Sequence, residues 1–186
     1  CYAGERKYTV DSPDGKIQLA IIQTDAGELT YQLSVKRKQV IDASALGFKT
    51  EDGLTFPFRG WKMGKVTRNK VNSVWKPLWG KRAVVPDKYN EMKLSFVNEA
   101  KSSDALEVVA RAYNEGVAFR YVSPQDAGSA LELTTFNFAG DYTAWFYNGE
   151  RHNIGPERLT ETDGERLPVM TVKAADDLYL AVHEAC

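Results

Sequence analysis

Apolar residues return at every second position in seven separate stretches of this chain, and nothing else in the sequence restricts its fold as strongly. Ile17, Leu19 and Ile21 alternate with Lys16, Gln18 and Ala20, and Leu29, Tyr31, Leu33 and Val35 with Thr30, Gln32, Ser34 and Lys36. The pattern recurs at Met92, Leu94 and Phe96, at Leu106, Val108 and Ala110, and at Val117, Phe119 and Tyr121. It returns at Leu131 and Leu133 and finally at Leu178, Leu180 and Val182. A period of two puts a strand's apolar side chains on one face, so each stretch reads as a half-buried strand. Turn signals separate them: Ser12-Pro13-Asp14-Gly15, Asp25-Ala26-Gly27, Glu51-Asp52-Gly53, Tyr113-Asn114-Glu115-Gly116, Tyr147-Asn148-Gly149 and Asp163-Gly164. Glycine supplies the positive φ such turns need, and Asn or Asp tolerates it. The expected fold is all-β, an antiparallel sandwich of two sheets. Segments 39–47 and 155–162 have room for a helical turn or two, and neither shows a sustained 3.6-residue stripe. The stretch from Gly60 to Asp87 reads as a long loop carrying Trp61, Trp75 and Trp79. A long aromatic-bearing connection in a compact domain is more often functional or interface-forming than idle.

The 186 residues suit one domain over 1–186, with a single large core. The net charge is −1 with acids and bases interspersed, so neither nucleic acid nor an anionic membrane is an expected partner. No apolar run approaches the ~20 residues of a transmembrane segment. The two cysteines are Cys1 and Cys186. Three readings stay open for them: free terminal thiols, a lipid on Cys1, or a disulfide, which requires Cα atoms within ~7 Å.

The residue types exclude several chemistries. His152 and His183 have no Cys or His at zinc-like spacing, and G-x-S-x-G, a Gly-rich phosphate loop and an EF-hand loop are all missing. No catalytic residue is assigned to this chain. Glu91, Glu115, Glu132, Glu150, Glu157 and Glu184 are the carboxylates available for a hydrolytic pair, and most fall at turns or on polar strand faces, where solvation explains them. Glu184 stands apart, because the apolar alternation from Leu178 to Val182 delivers it at a strand end. That ending reads as a piece of something larger, holding a carboxylate against a partner domain. Trp61, Trp75, Trp79 and Trp145, with Phe146 and Tyr147, suit either sugar stacking or a core or interface.

Several of these segments together resemble the N-terminal domain of glycoside hydrolase family 97. They are Tyr8-Thr9-Val10-Asp11-Ser12-Pro13-Asp14-Gly15-Lys16-Ile17, Leu29-Thr30-Tyr31-Gln32-Leu33 and Ile41-Asp42-Ala43-Ser44-Ala45-Leu46-Gly47. Next come Trp75-Lys76-Pro77-Leu78-Trp79-Gly80, Tyr89-Asn90-Glu91, the segment from Arg111 to Tyr121, and Leu180-Ala181-Val182-His183-Glu184-Ala185. Their order and spacing cover nearly the whole chain. Lys81 departs from the pattern, standing after the Trp-Gly pair where an acidic residue is expected.

The resemblance implies a β-super-sandwich similar to the galactose mutarotase fold. It implies a bacterial, periplasmic or cell-surface enzyme, lipid-anchored in one reading through Cys1, that hydrolyses α-glucosides or α-galactosides. The catalytic carboxylates would lie on a partner (β/α)8 barrel. The domain would line part of the substrate wall, with Trp75, Trp79 and Trp145, and give one glutamate, Glu184 by position, to a calcium ion. Calcium takes 6–8 oxygens, so one glutamate cannot hold it alone. Glucoside against galactoside, and inversion against retention, depend on the barrel. Two rival functions are a stand-alone carbohydrate-binding module that uses the tryptophans, and a sugar epimerase. The epimerase would need His152, His183 and a glutamate converging on one cleft.

Overall fold

The computed structural model describes residues 5–51, 53, 55–57, 60–99, 105–123, 128–147, 149 and 153–184. Among them every sheet is antiparallel, and the one helical turn is a 3-10 turn at Leu159–Glu161. The all-β expectation therefore stands. The chain divides into two compact units, Cys1–Asn137 and Phe138–Cys186.

The first unit contains two four-stranded meanders. One is built from β1 (Arg6–Asp11), β2 (Ile17–Gln23), β3 (Leu29–Val35) and β4 (Lys38–Leu46), in that spatial order. After the short strands β5 (Phe48–Thr50) and β6 (Thr55–Phe56) come β7 (Trp61–Trp75), β8 (Val85–Asn98), β9 (Ala105–Tyr113) and β10 (Val117–Val122), ordered β10-β9-β8-β7. β1 and β2 lie against β8 and β9. The alternating residues fill the space between: Leu19, Ile21, Met92, Leu94, Phe96, Val108 and Ala110 are all essentially inaccessible to water. A third sheet pairs β11 (Ala130–Glu132) with β5 and β6.

Its floor is a cluster of rings. Phe56 meets Trp61 at 5.1 Å and Phe96 at 5.3 Å, both edge-on, and Phe48 at 5.8 Å. Gly47 is required there, because a Cβ at that position would run into the carbonyl oxygen of Phe56. The outer edge of β4 is covered by residues 133–137. Thr135 N–H donates to the Ala45 carbonyl, Asn137 N–H to the Ser44 hydroxyl, and Asn137 Nδ2 to the Ala43 carbonyl. Covering a sheet edge this way leaves no row of open donors and acceptors for stray pairing.

The second unit is one sheet of β12 (Thr143–Tyr147), β13 (Asn153–Arg158), β14 (Leu167–Ala175) and β15 (Leu178–Val182), ordered β13-β12-β14-β15. Ala144, Phe146 and Val172 form its core, against which Phe138, Tyr142, Ile154, Leu159, Met170 and Leu180 pack. Asp141 ties the 3-10 turn down: it accepts from Thr160 N–H at 3.0 Å and from Arg158 Nε at 2.8 Å. The Thr160 amide leads in holding the Asp141 carboxyl below the usual carboxylate range.

Three expectations need correction. Segment 39–47, given room for a helical turn, is almost wholly strand β4; the β-branched pair Val40-Ile41 and a register shift opposite Leu33 break its period without making it helical. The long loop of 60–87 is mostly β7, a 15-residue strand, and the true connection is 76–84. β7 is the edge of its sheet and exposed along most of its length, so no apolar alternation marks it. Charge is also less evenly spread than the sum suggests. Residues 61–98 carry nine lysines and arginines against two acids, Asp87 and Glu91, a net of +7 in a chain whose total is −1.

Candidate functional site: an aromatic hairpin tip on a braced sheet

Three of the sequence landmarks meet in the first unit. In the β1–β2 turn the Ser12 hydroxyl donates to Asp14 Oδ1 at 2.7 Å and accepts from Ile17 N–H at 2.9 Å. Gly15 takes φ 72° there. Asp14 also accepts from Lys16 N–H and pairs with the Lys16 ammonium at 3.0 Å. The Ser12 hydrogen bond leads these in bringing the Asp14 carboxyl down to about 2. The turn docks on the turn after β9, where Asp14 N–H donates to Asn114 Oδ1 at 3.0 Å, and Asn90 Nδ2 donates to the Asp11 carbonyl at 2.7 Å.

On the opposite face of the same strands, Tyr89 stands across from Tyr113, and Glu91 across from Arg111. Arg111 Nε donates to Glu91 Oε2 at 2.8 Å, and its guanidinium lies 4.4 Å from the Tyr89 ring centre. Glu91 is 7% exposed, and burial pushes the Tyr89 phenol up. A buried carboxylate committed to an arginine braces the sheet and is not free for acid–base work.

These braces stop where β9 stops. β9 pairs with β8 as far as Tyr89↔Tyr113, while β7 stays paired with β8 through to Trp75↔Val85. The stretch Val85–Lys88 is thus half of a two-stranded ribbon that outruns the sheet by roughly 13 Å, at ~3.3 Å per residue. At its tip Trp75 is 54%, Leu78 101% and Trp79 87% exposed. Lys76, Lys81 and Arg82 belong to the same tip in sequence and are also exposed, and none has an ion-pair or hydrogen-bond partner among the described residues.

The other sequence candidates are dispersed. Trp61 belongs to the core, with its Nε1 donating to the Thr55 carbonyl at 3.3 Å. Trp145 lies in the second unit on β12, its ring 6.4 Å from Tyr179 and inclined to it by 35°. Tyr179 is 56% exposed and Tyr147 48%. The sequence marks Tyr147 as a candidate beside Trp145, whereas Tyr179 is hidden among the apolar residues of β15. That strand keeps its alternation in the fold, with Leu178, Leu180 and Val182 drier than Tyr179 and Ala181, and it is an edge strand paired with β14. Glu184 follows it and is exposed, as is His183. No group of three or more His, Cys, Asp or Glu that could hold a metal occurs among the described residues. Glu132 accepts from the Thr134 hydroxyl at 2.7 Å, and Glu157 from the Thr162 hydroxyl at 3.3 Å. Cys1, Cys186, Glu150 and His152 lie outside the described residues, and so does the three-residue convergence an epimerase would require.

Comparison with known proteins gives this arrangement a family. The family model described as "Glycosyl-hydrolase 97 N-terminal" matches residues 10–186, across both units. A retaining alpha-galactosidase of Bacteroides thetaiotaomicron is 22% identical over 97% of this chain, which spans 29% of that protein. A probable retaining alpha-galactosidase of Streptomyces bingchenggensis is 30% identical over 82% of the chain and 24% of its own length. A glycoside hydrolase family 97 enzyme of Pseudoalteromonas sp. strain K8, solved with acarbose, superposes with a TM-score of 0.67. It is 34% identical, and the match covers 75% of this chain and 22% of that one. A beta-arabinopyranosidase shares the fold at a TM-score of 0.75 and 20% identity, over 94% of this chain and 31% of its own. The order of the landmarks, the all-β architecture and a match over residues 10–186 agree: the chain belongs to the N-terminal domain family of glycosyl hydrolase 97.

Proposed function

We propose that this chain is the non-catalytic domain of an α-galactosidase, packing on a catalytic barrel and lining part of its substrate site. The match to the family model over residues 10–186 carries the reading, since that family is by description the N-terminal part of a glycosyl hydrolase. Galactoside is preferred over glucoside, and retention over inversion, because the two curated relatives named above bear those names. In this reading Trp75 and Trp79 contribute to the wall from the hairpin tip. Exposed aromatic rings suit the apolar face of a pyranose.

Calcium belongs to this reading through Glu184. The fit is partial: an exposed carboxylate past a strand end can reach a partner's ion, and a single glutamate falls far short of 6–8 oxygen ligands. Glu184 would supply one charged ligand, and the ion would help order sugar hydroxyls. A bacterial periplasmic or cell-surface setting completes the proposal.

The test is hydrolysis of nitrophenyl α-galactoside and α-glucoside by the longer parent enzyme, before and after chelation. Activity that calcium restores, and a Glu184→Gln variant needing at least tenfold more calcium for half-activity, are expected. Loss of the calcium response in Glu132→Gln instead would move the ligand to that carboxylate. Turnover by the 186-residue chain alone would overturn the non-catalytic assignment. The exposed tryptophans also keep a second reading, a stand-alone carbohydrate-binding module, which predicts that Trp79→Ala leaves hydrolysis by the parent enzyme unchanged.

A further inference from the structure

The hairpin tip combines two features that the wall role alone does not require. Its apolar groups, Trp75, Leu78 and Trp79, are exposed at the end of a ribbon whose register runs unbroken from Val66↔Leu94 to Trp75↔Val85. The place of Trp75 is therefore set by backbone pairing. Lys76, Lys81 and Arg82 flank these residues in the sequence of the tip, with no acid anywhere between Val74 and Pro86. None of the three cations braces the fold, because none has a partner among the described residues.

The ordinary explanation is that charge keeps exposed tryptophans from self-association. Either sign would serve that purpose, and in a chain of net charge −1 three charges of one sign at one tip call for a further cause. An aromatic face beside lysine and arginine is a recognition surface for a ring that is apolar on one side and negatively charged at its rim. Carboxylate and sulfate both accept hydrogen bonds from guanidinium and ammonium groups, bidentately in the case of arginine.

We infer that the tip binds anionic sugar residues, with Trp79 and Trp75 under the pyranose and Lys76, Lys81 and Arg82 on its carboxylate or sulfate. This rests on the reading of the tip as substrate wall, and it names the substrate class: an oligosaccharide bearing uronic acid or sulfate near the scissile bond. The cations would also draw such chains to the site at low ionic strength.

The experiment is titration calorimetry of this 186-residue chain with three probes: α-1,4-linked trigalacturonate, the neutral α-1,4-galactotriose and its 6-sulfated form. At least one anionic probe is expected to bind tenfold or more tightly than the neutral one, and the two anions against each other separate carboxylate from sulfate. The preference should shrink as salt rises from 0.05 to 1 M, where screening shortens to about 3 Å. K81Q/R82Q should abolish the preference and leave the neutral affinity, which doubles as a control for folding; Trp79→Ala should weaken all three probes. Equal binding of neutral and anionic probes would overturn this inference and keep the wall. No binding of any probe by this chain would overturn the inference as well, and the wall would then stand or fall with the hydrolysis kinetics of Trp79→Ala in the longer parent enzyme. Binding to phosphatidylglycerol vesicles through Lys81 and Arg82, without sugar binding, would overturn both in favour of a membrane contact.

Discussion

At the residue scale, the best-determined position is Asp14. Its carboxyl is drawn down to about 2 by the Ser12 hydroxyl and the Lys16 contacts. A depressed carboxylate stabilises the fold above its unfolded pKa of ~3.9, and that contribution is lost as pH falls toward 2. In urea unfolding at pH 5, 3 and 2, Asp14→Asn should therefore be less stable than the parent at pH 5, with the gap closing by pH 2. A gap of constant size would mean the turn does not need the charge. Gly47 offers a sharper steric test. Adding a Cβ forces it against the Phe56 carbonyl beside a cluster of packed rings, and Gly47→Ala should cost about 1–3 kcal/mol in equilibrium unfolding.

Element by element, legibility followed wetting. Strands with one dry face announced themselves: Leu19 and Ile21 on β2, Met92, Leu94 and Phe96 on β8, and Val108 and Ala110 on β9 are buried as their alternation foretold. β7 did not, because an edge strand with both faces largely in water has no reason to alternate. Lys65, Arg68 and Lys70 occupy it instead. The residues of the candidate site were named in the sequence, and their places were not. Four tryptophans suggested sugar contact, yet only pairing registers could send Trp61 to the core and Trp75 to the far end of the same strand. Since Trp79 touches water on nearly every side, Trp79→Ser should leave the midpoint of thermal unfolding within about 2 °C of the parent. A larger fall would reveal packing at the tip.

For the molecule as a whole, the two units should differ in depth of stability. The second holds residues 138–186, with Ala144, Phe146 and Val172 as its buried cluster among the described residues, while the first seals two meanders face to face. Small units bury a lesser share of their surface. In hydrogen exchange, amides of β8 and β9 should be the slowest and those of β12 to β15 markedly faster. Comparable protection in both would indicate that the units unfold together. Net charge failed as a guide at this scale: a total of −1 concealed a +7 hairpin, because a sum carries no positions.

The docking of Asp14 on Asn114 has a consequence for biosynthesis. The meander of β1 to β4 is built from neighbouring hairpins and can form while the chain is still being made. Its lid arrives late, because the partners of Asp11 and Asp14 are Asn90 and Asn114. At ~5–20 residues per second, the ribosome needs on the order of 5–20 s to supply them. During that window Leu19 and Ile21 have only their cross-strand neighbours on β1 and β3 for cover. A nascent chain stalled near residue 80 should recruit a holding chaperone, and one extended past residue 120 and clear of the exit tunnel should release it.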